Sequence, residues 1–243
     1  MPDVETPDPI RGRHDKVNGI APKPAKRKTL VAVKRPGVRE LAAQATREGI
    51  LKAAIKVFAK GGFAGGRVEK ISKAAKSFDR MIYYYFGSKE GLFIAALEEI
   101  YRRFCEAEAK VDLDMEQPIE SLRTVVLFTW NYYQKHPEFI TLLNSENLHR
   151  GVHISKSMRA REYSGAAIAI LDQVLKSGIA KGVFRTDVQA RDVYLTIASL
   201  CYFYLSNRFT LSAFLGQDLQ AADAIAHWES VITDAVLRVV ARA

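Results

Sequence analysis

Residues Ser77–Glu90 read SFDRMIYYYFGSKE, with three adjacent tyrosines between an arginine and a Gly-Ser-Lys. At about 100° per residue on a helix, Phe78, Ile82 and Phe86 fall within about 80° of one another and form one apolar stripe. Arg80 and Tyr84 point away from that stripe, Tyr83 and Met81 flank them, and Tyr85 lies beside the stripe. The three tyrosines therefore divide: Tyr83 and Tyr84 face outward with Arg80, and Tyr85 is expected to be half packed. Gly87-Ser88 breaks the helix, and Ser88 is a natural N-cap for the next one.

Upstream, Ile50, Leu51, Ala54, Ile55, Val57 and Phe58 share one side of a helix that starts near Thr46 and ends at Gly61-Gly62. A two-turn helix from Arg67, with Val68, Ile71 and Ala75 inward, leads through Ala75-Lys76-Ser77 into the tyrosine helix. Two short helices joined by a tight turn and backed by a third describe a helix-turn-helix. A major groove admits one helix. Arg80 suits guanine O6 and N7 or a phosphate, and Tyr83 and Tyr84 offer hydroxyls to phosphates and ring edges to thymine methyls. Lys89, in the first turn of the following helix, is placed for a phosphate. The other use for these tyrosines is to cover the seam between helices, above all for Tyr85.

Charge is distributed to match. The net +9 divides into 10 Lys/Arg against 5 Asp/Glu over residues 1–40, 10 against 4 over 41–90, and 16 against 18 over 91–243. All the excess positive charge lies in the first ninety residues, as in a polyanion-binding module joined to a neutral body. Six of the eight prolines lie in residues 1–40, which show no helical or strand period and read as a disordered basic arm. Such an arm follows a phosphate backbone, enters a minor groove or merely solubilises.

Residues 91–243 read as further helices, giving an all-α chain of about nine helices. Leu92, Phe93, Ala96, Leu97, Ile100, Tyr101 and Phe104 lie inside a long fourth helix. Pro118 opens a fifth, which His136-Pro137 closes. Glu138–His149 follows, then roughly Ser157–Ser177, a strongly apolar helix capped by Asp187, and a last one capped by Asp218.

The segments Phe58-Ala59-x-x-Gly62-Phe63, Val68-x-x-Ile71, Ala75 and Ile82-Tyr-Tyr-Tyr-Phe-Gly-Ser-Lys-Glu-x-Leu92 resemble, without a gap, the DNA-binding domain of the TetR-type transcriptional regulators. Beyond Phe93 the resemblance rests on helix order and on Gly182-x-Phe184-x-x-Asp187. It implies a homodimer on a palindromic double-stranded operator, with residues 41–90 as the helix-turn-helix domain and 91–243 as a ligand-binding and dimerisation domain. By motif position Tyr83, Tyr84 and Lys89 match family DNA contacts, and Tyr85 stands at a phosphate-contacting position. Arg67, Arg80 and Met81 complete the expected face. The sequence departs from the family pattern at Gly66-Arg67, where a capping hydroxyl is usual, at Lys76 in place of the turn glycine, and at Ser77-Phe78, where Ser77 is expected to cap and Phe78 to tuck inward.

In the second part, polar residues among apolar ones suggest an effector pocket built from Trp130, Asn144, Asn147, His149 and Arg150, with Tyr202 and Tyr204 facing them; a hydrogen-bonded core or interface is the competing use for the two asparagines. Val193, Ile197, Leu200, Cys201 and Tyr204, with Ile225, Trp228, Ile232, Ala235, Val236 and Val239, are expected to pair with a second copy through the last two helices. Glu146, His149 and His153 have helix-compatible metal spacing, but they are read as a solvated face, and no metal or cofactor is expected.

Enzymatic chemistry finds no support. Gly61-Gly-Phe-Ala-Gly-Gly66 lacks the Lys-Ser/Thr of a phosphate-binding loop, and Cys105 and Cys201 have no evident base. Two cysteines make no disulfide framework, and no apolar run spans a membrane or forms a secretory signal, so a cytoplasmic protein is expected. The remaining rival is a basic nucleoid-type binder without sequence preference.

Overall fold

The computed structural model describes residues 37–242. Among these, nine α-helices and one 3-10 turn account for nearly all regular structure: α1 Val38–Gly65, α2 Val68–Ala74, α3 Asp79–Phe86, α4 Lys89–Glu108, α5 Pro118–Lys135, α6 Pro137–Leu148, the turn Ile154–Lys156, α7 Ala160–Ala180, α8 Ala190–Leu215 and α9 Ala222–Val240. The all-α expectation holds. Apart from residues 37–40, the basic arm lies outside the described residues, and α1 begins at Val38, inside the stretch assigned to the arm.

The helix-turn-helix forms because its apolar positions converge. Ile50, Ala54, Ile55 and Phe58 of α1, Ile71 of α2, Ile82 of α3 and Leu92 and Phe93 of α4 are all buried. Gly62 takes φ 64° and breaks α1 without ending it, because the chain resumes one more helical turn to Gly65. Gly66 is needed for a different reason: a Cβ there would stand 2.2 Å from the Phe58 ring. Arg67 starts α2 with no side-chain cap, as the sequence departure implied.

The turn into α3 is closed by the backbone. Ser77 N–H donates to Ser72 O (2.9 Å) and Lys76 N–H to Lys73 O (3.2 Å), while Lys76 itself sits at φ 52°. This is a Schellman closure with lysine in the left-handed position that glycine usually fills. The missing glycine therefore strains the turn but does not abolish it. Ser72, buried on α2, donates its hydroxyl to the Asp79 carboxylate and to Glu69 O, which ties the start of α3 to α2. Ser88 caps α4 by accepting from Gly91 N–H (2.9 Å).

In the body, Pro118 and Pro137 occupy the first turns of α5 and α6. The loop after α7 folds back so that the Phe184 ring takes the place of a side chain on Gly178; a Cβ there would meet the ring at 1.9 Å. Arg185 N–H then donates to Val240 O (3.0 Å), which joins this loop to the end of α9. Neither expected aspartate cap forms. Gln189 precedes α8, Asp187 pairs with Arg185 (3.0 Å), and Asp218 accepts from Gln220 N–H before α9 begins at Ala222.

The stripes expected to await a second copy are mostly covered within the chain. Val193, Ile197, Cys201, Tyr204, Ile232 and Val236 are buried, because α5 packs against both α8 and α9. Leu200, Ile225, Trp228 and Ala235 are half-buried, and Val239 is exposed. The uncovered apolar surface of α8 is a different set: Leu195, Phe203, Phe209, Phe214 and Leu215.

Relieving the left-handed lysine is expected to stabilise the domain: Lys76→Gly should gain about 0.5–1 kcal/mol in denaturant unfolding. A loss of stability would show that the turn is held by the lysine side chain instead.

Candidate nucleic-acid interface and internal chamber

On α3, Ile82 is the anchor, fully buried, with Met81, Tyr85 and Phe86 half-buried around it. Arg47 of α1 covers the Phe86 ring with its guanidinium carbon 5.0 Å from the ring centre. The opposite side is open: Tyr83 is 52% and Tyr84 76% exposed, and Arg80 and Arg67 are exposed. Tyr85 stands edge-on to Tyr84 (centroids 4.9 Å) and packs its ring against the core, so the tyrosines divide as the helical wheel requires.

Phe78 departs from expectation. It is the N-cap residue of α3, is 71% exposed, and carries the Arg80 guanidinium carbon 5.4 Å from its ring centre. Its extended backbone places it before the first helical turn, so the wheel that put it in the apolar stripe does not apply. Ser77 does not cap. The open face is thus Phe78, Arg80, Tyr83 and Tyr84, with an aromatic residue that sequence reasoning had turned inward; the signal for it was the departure at Ser77-Phe78.

Lys89 begins α4 as expected, and its ammonium is occupied: it lies 4.6 Å from the Phe63 ring centre and 3.4 Å from Ala64 O. Phe63 is the meeting point of three helices. Its N–H donates to Ser145 Oγ of α6 (3.1 Å), and its ring touches those of Phe93, His149 and His153 at 5.1, 5.7 and 4.5 Å. The latter two are not on a solvated face. His153 is buried, and Glu146, also buried, accepts from the His153 ring (2.7 Å) and from the backbone N–H groups of His153 and Ile154 (2.8 Å each). Both oxygens of Glu146 are spent on this loop. Among the described residues no group of three His, Cys, Asp or Glu is spaced to hold a metal.

Of the expected pocket residues, three come together. Tyr202 donates to Asn144 Oδ1 and accepts from Asn147 Nδ2 (3.3 Å), and Ser206 also donates to Asn144 (2.9 Å). Asn147 and Tyr202 stand at the rim of a recess of about 260 Å³ between α6 and α8. His149 is elsewhere, against Phe63, with its Nδ1 bonded to Ser145 O (2.7 Å), and Arg150 is exposed in the turn after α6 at φ 58°, outside the recess. Trp130 is fully buried against Tyr204, on the side of α8 that faces α9.

The recess leads inward to an aromatic chamber. Tyr101, Tyr133, Phe139 and Tyr194 line both the recess and a deeper cavity of about 130 Å³, which Phe104, Cys105 and Tyr163 complete. Beyond it, a cleft of about 10 Å³ ends at Glu108, which is 5% exposed and whose Oε2 has no protein partner. Burial pushes the Glu108 carboxyl up to about 7, pushes the Cys105 thiol up to about 11 and holds Tyr133 well above its ordinary range. Cys105 and Cys201 are therefore thiols rather than nucleophiles at neutral pH. Sequence reading missed the chamber because α4 residues one turn apart, such as Tyr101, Phe104 and Glu108, have the spacing of an ordinary core stripe.

An all-helical body carrying an exposed basic-aromatic helix on a helix-turn-helix defines a class, the helical DNA-binding regulators. Residues 50–96 match the family model described as bacterial regulatory proteins, tetR family, and residues 118–236 match that of the tetracyclin repressor-like C-terminal domain. The HTH-type transcriptional repressor NicS of Pseudomonas putida is 55% identical over 84% of this chain and 97% of its own length. The HTH-type transcriptional repressor SCO4008 of Streptomyces coelicolor is 27% identical over 65% and 77% of the two chains. Among solved structures, the regulator FadR from Bacillus subtilis, in complex with stearoyl-CoA, superposes with a TM-score of 0.60 over 79% of this chain and 97% of its own, at 22% identity. The chain belongs to the TetR family of bacterial transcriptional regulators.

The raised Glu108 value has a sign that can be checked. The folded carboxyl holds its proton from the ordinary 4.5 up to about 7, so its favourable contribution is complete below 4.5 and is lost as pH rises through 7. Glu108→Gln should therefore gain stability relative to the parent between pH 5 and pH 8, by on the order of 3 kcal/mol. A difference independent of pH in thermal unfolding would contradict the buried, unpaired carboxylate.

Proposed function

We propose that the protein is a sequence-specific transcriptional repressor that binds a palindromic operator as a homodimer and is controlled by a small-molecule effector. The observation that carries this reading is the open face of α3, where Phe78, Arg80, Tyr83 and Tyr84 are exposed on a helix fixed from behind by Ile82. Arg80, pre-oriented on the Phe78 ring, reads a guanine or grips a phosphate, and Phe78 meets a thymine methyl. Tyr83 and Tyr84 supply hydroxyls to the backbone, with Arg67, Lys89 and the rims of Met81 and Tyr85 at the periphery. The DNA-binding part comprises α1 to α3 and the start of α4, and the rest of the chain holds effector and partner. The reading is regulatory rather than enzymatic and places the protein in the cytoplasm. Among the described residues no helix is long and apolar enough to cross a membrane.

For the homodimer, the surface that needs covering is the α8 ridge of Phe203 and Phe214, which share one face of the helix, the latter 86% exposed. Between α8 and α9 the ridge borders an apolar recess of about 360 Å³ lined by Phe203, Leu211, Leu215 and Trp228. A second copy packing α8 and α9 against their equivalents buries both features.

Competition binding against the chain's own upstream DNA and a scrambled duplex tests the reading: equal affinity with equal salt slope would make the protein a non-specific binder. Phe78→Ala should leave stability within about 0.5 kcal/mol of the parent while lowering specific affinity roughly tenfold. An unchanged affinity removes Phe78 from the interface. Lys89→Ala should weaken binding to all DNA and reduce the salt slope by about one unit, whereas Arg80→Ala should also relax base preference. Phe203→Glu should give a monomer of unchanged helicity in sedimentation equilibrium; a persisting dimer would place the interface elsewhere.

A further inference from the structure

The chamber behind Asn147 and Tyr202 has a chemistry of its own. Its walls are aromatic: Tyr101, Phe104, Tyr133, Phe139, Tyr163 and Tyr194, contributed by α4, α5, α6, α7 and α8. One polar atom at the inner end of this space, Glu108 Oε2, is buried without a protein partner. Thr129, which shares the inner cleft with Glu108, has its hydroxyl committed to Val125 O (2.9 Å). Among the described residues lining the recess, the chamber and the cleft there is no Lys, Arg or His, so Glu108 is the sole side chain there that carries charge near neutral pH.

A lone acid at the end of an aromatic cavity selects by charge. A carboxylate or phosphate ligand would meet no counter-cation and one potential anion, and it would lose its hydration for nothing. A protonated nitrogen gains twice, from ring faces on its way in and from a charge-assisted hydrogen bond at the end. The deep cavity, about 130 Å³, is small for a drug-sized ligand, and no basic residue among those described at the recess would hold a phosphorylated carrier.

We propose that this chamber is the effector site and that it takes a compact organic amine with a flat apolar body, whose N–H is received by Glu108 and whose ring is held by Tyr101, Tyr133 and Tyr194. The assignment rests on the reading of the chain as an effector-controlled regulator. Burial alone raises the Glu108 carboxyl to about 7, so an entering cation stabilises the ionised form that the empty protein disfavours. Asn147 and Tyr202, joined to each other and to Asn144, stand where such a ligand enters.

The test is isothermal titration calorimetry on the full chain at pH 7 with matched pairs: benzylamine against benzoate, 2-phenylethylamine against phenylacetate, and hexanoyl-CoA as the bulky anionic probe. At least one amine is expected to bind, roughly tenfold or more tighter than its carboxylate partner, and Glu108→Gln is expected to abolish that preference. Should Glu108→Gln fail to fold by circular dichroism, Glu108→Met replaces it with the same expectation. Binding of no amine, tighter binding of a carboxylate or of hexanoyl-CoA, or a preference that survives the substitution overturns the proposal. Titration of the unliganded protein onto its own upstream DNA and onto a scrambled duplex separates the two levels. Sequence preference without amine binding defeats the ligand class alone, and absence of preference defeats the regulator reading itself.

Discussion

Phe63 is the residue on which the arrangement depends. It follows the break at Gly62, where a left-handed backbone lets α1 turn without ending. Its N–H is bound by Ser145 of α6 and its ring lies among Phe93 of α4, His149 and His153, with the Lys89 ammonium on the ring face. One aromatic side chain therefore sets the position of the helix that opens after Ser88, and with it the register of α3, against the helix that carries Asn144 and Asn147. A buried Glu146–His153 pair, closed by two backbone N–H groups, keeps the loop after α6 from loosening this contact. Buried polar groups of this kind hold geometry because each is satisfied only in one arrangement.

Within the proposed function, this makes α6 the element with two audiences. Ser145, Glu146 and His149 face the Phe63 cluster, and Asn144 and Asn147 face Tyr202 on α8 at the mouth of the chamber. A ligand that alters the Asn144–Tyr202–Asn147 bonds moves the same helix whose Ser145 holds the end of α1. Lys89, at the junction, holds the Phe63 ring and Ala64 O; were it also to contact DNA as proposed, a change in the cluster would reach the nucleic-acid face through a charge as well as through packing.

Much of the helix-turn-helix was legible because local signals agreed: Gly87-Ser88 and an apolar stripe around Ile82 point to the same short α3 and the start of α4, whereas Gly61-Gly62, expected to end the first helix, marks only a break in α1, which runs on to Gly65. Lys76 shows the limit of a single-residue signal. A turn that favours glycine accepted lysine, because backbone bonds from Ser77 and Lys76 close it. Phe78 was misread because a helical wheel applies only inside a helix, and the helix starts one residue later. In the body, periodicity located the helices but not their partners. Val193, Ile197 and Cys201 have the pattern of an interface and are core, since what covers a stripe is decided by long-range packing of α5. The chamber was invisible for the same reason: a glutamate ending a stripe of core aromatics has no spacing that marks it as buried.

The central claim is that α3 enters successive major grooves of a palindrome from two copies of this chain. Hydroxyl-radical footprinting of the full chain on its own upstream DNA tests it most directly. Two symmetric groups of protected positions on one face of the duplex, about one helical turn apart or a multiple of it, are expected. Uniform protection that spreads with protein concentration, with no two-fold pattern, would contradict it.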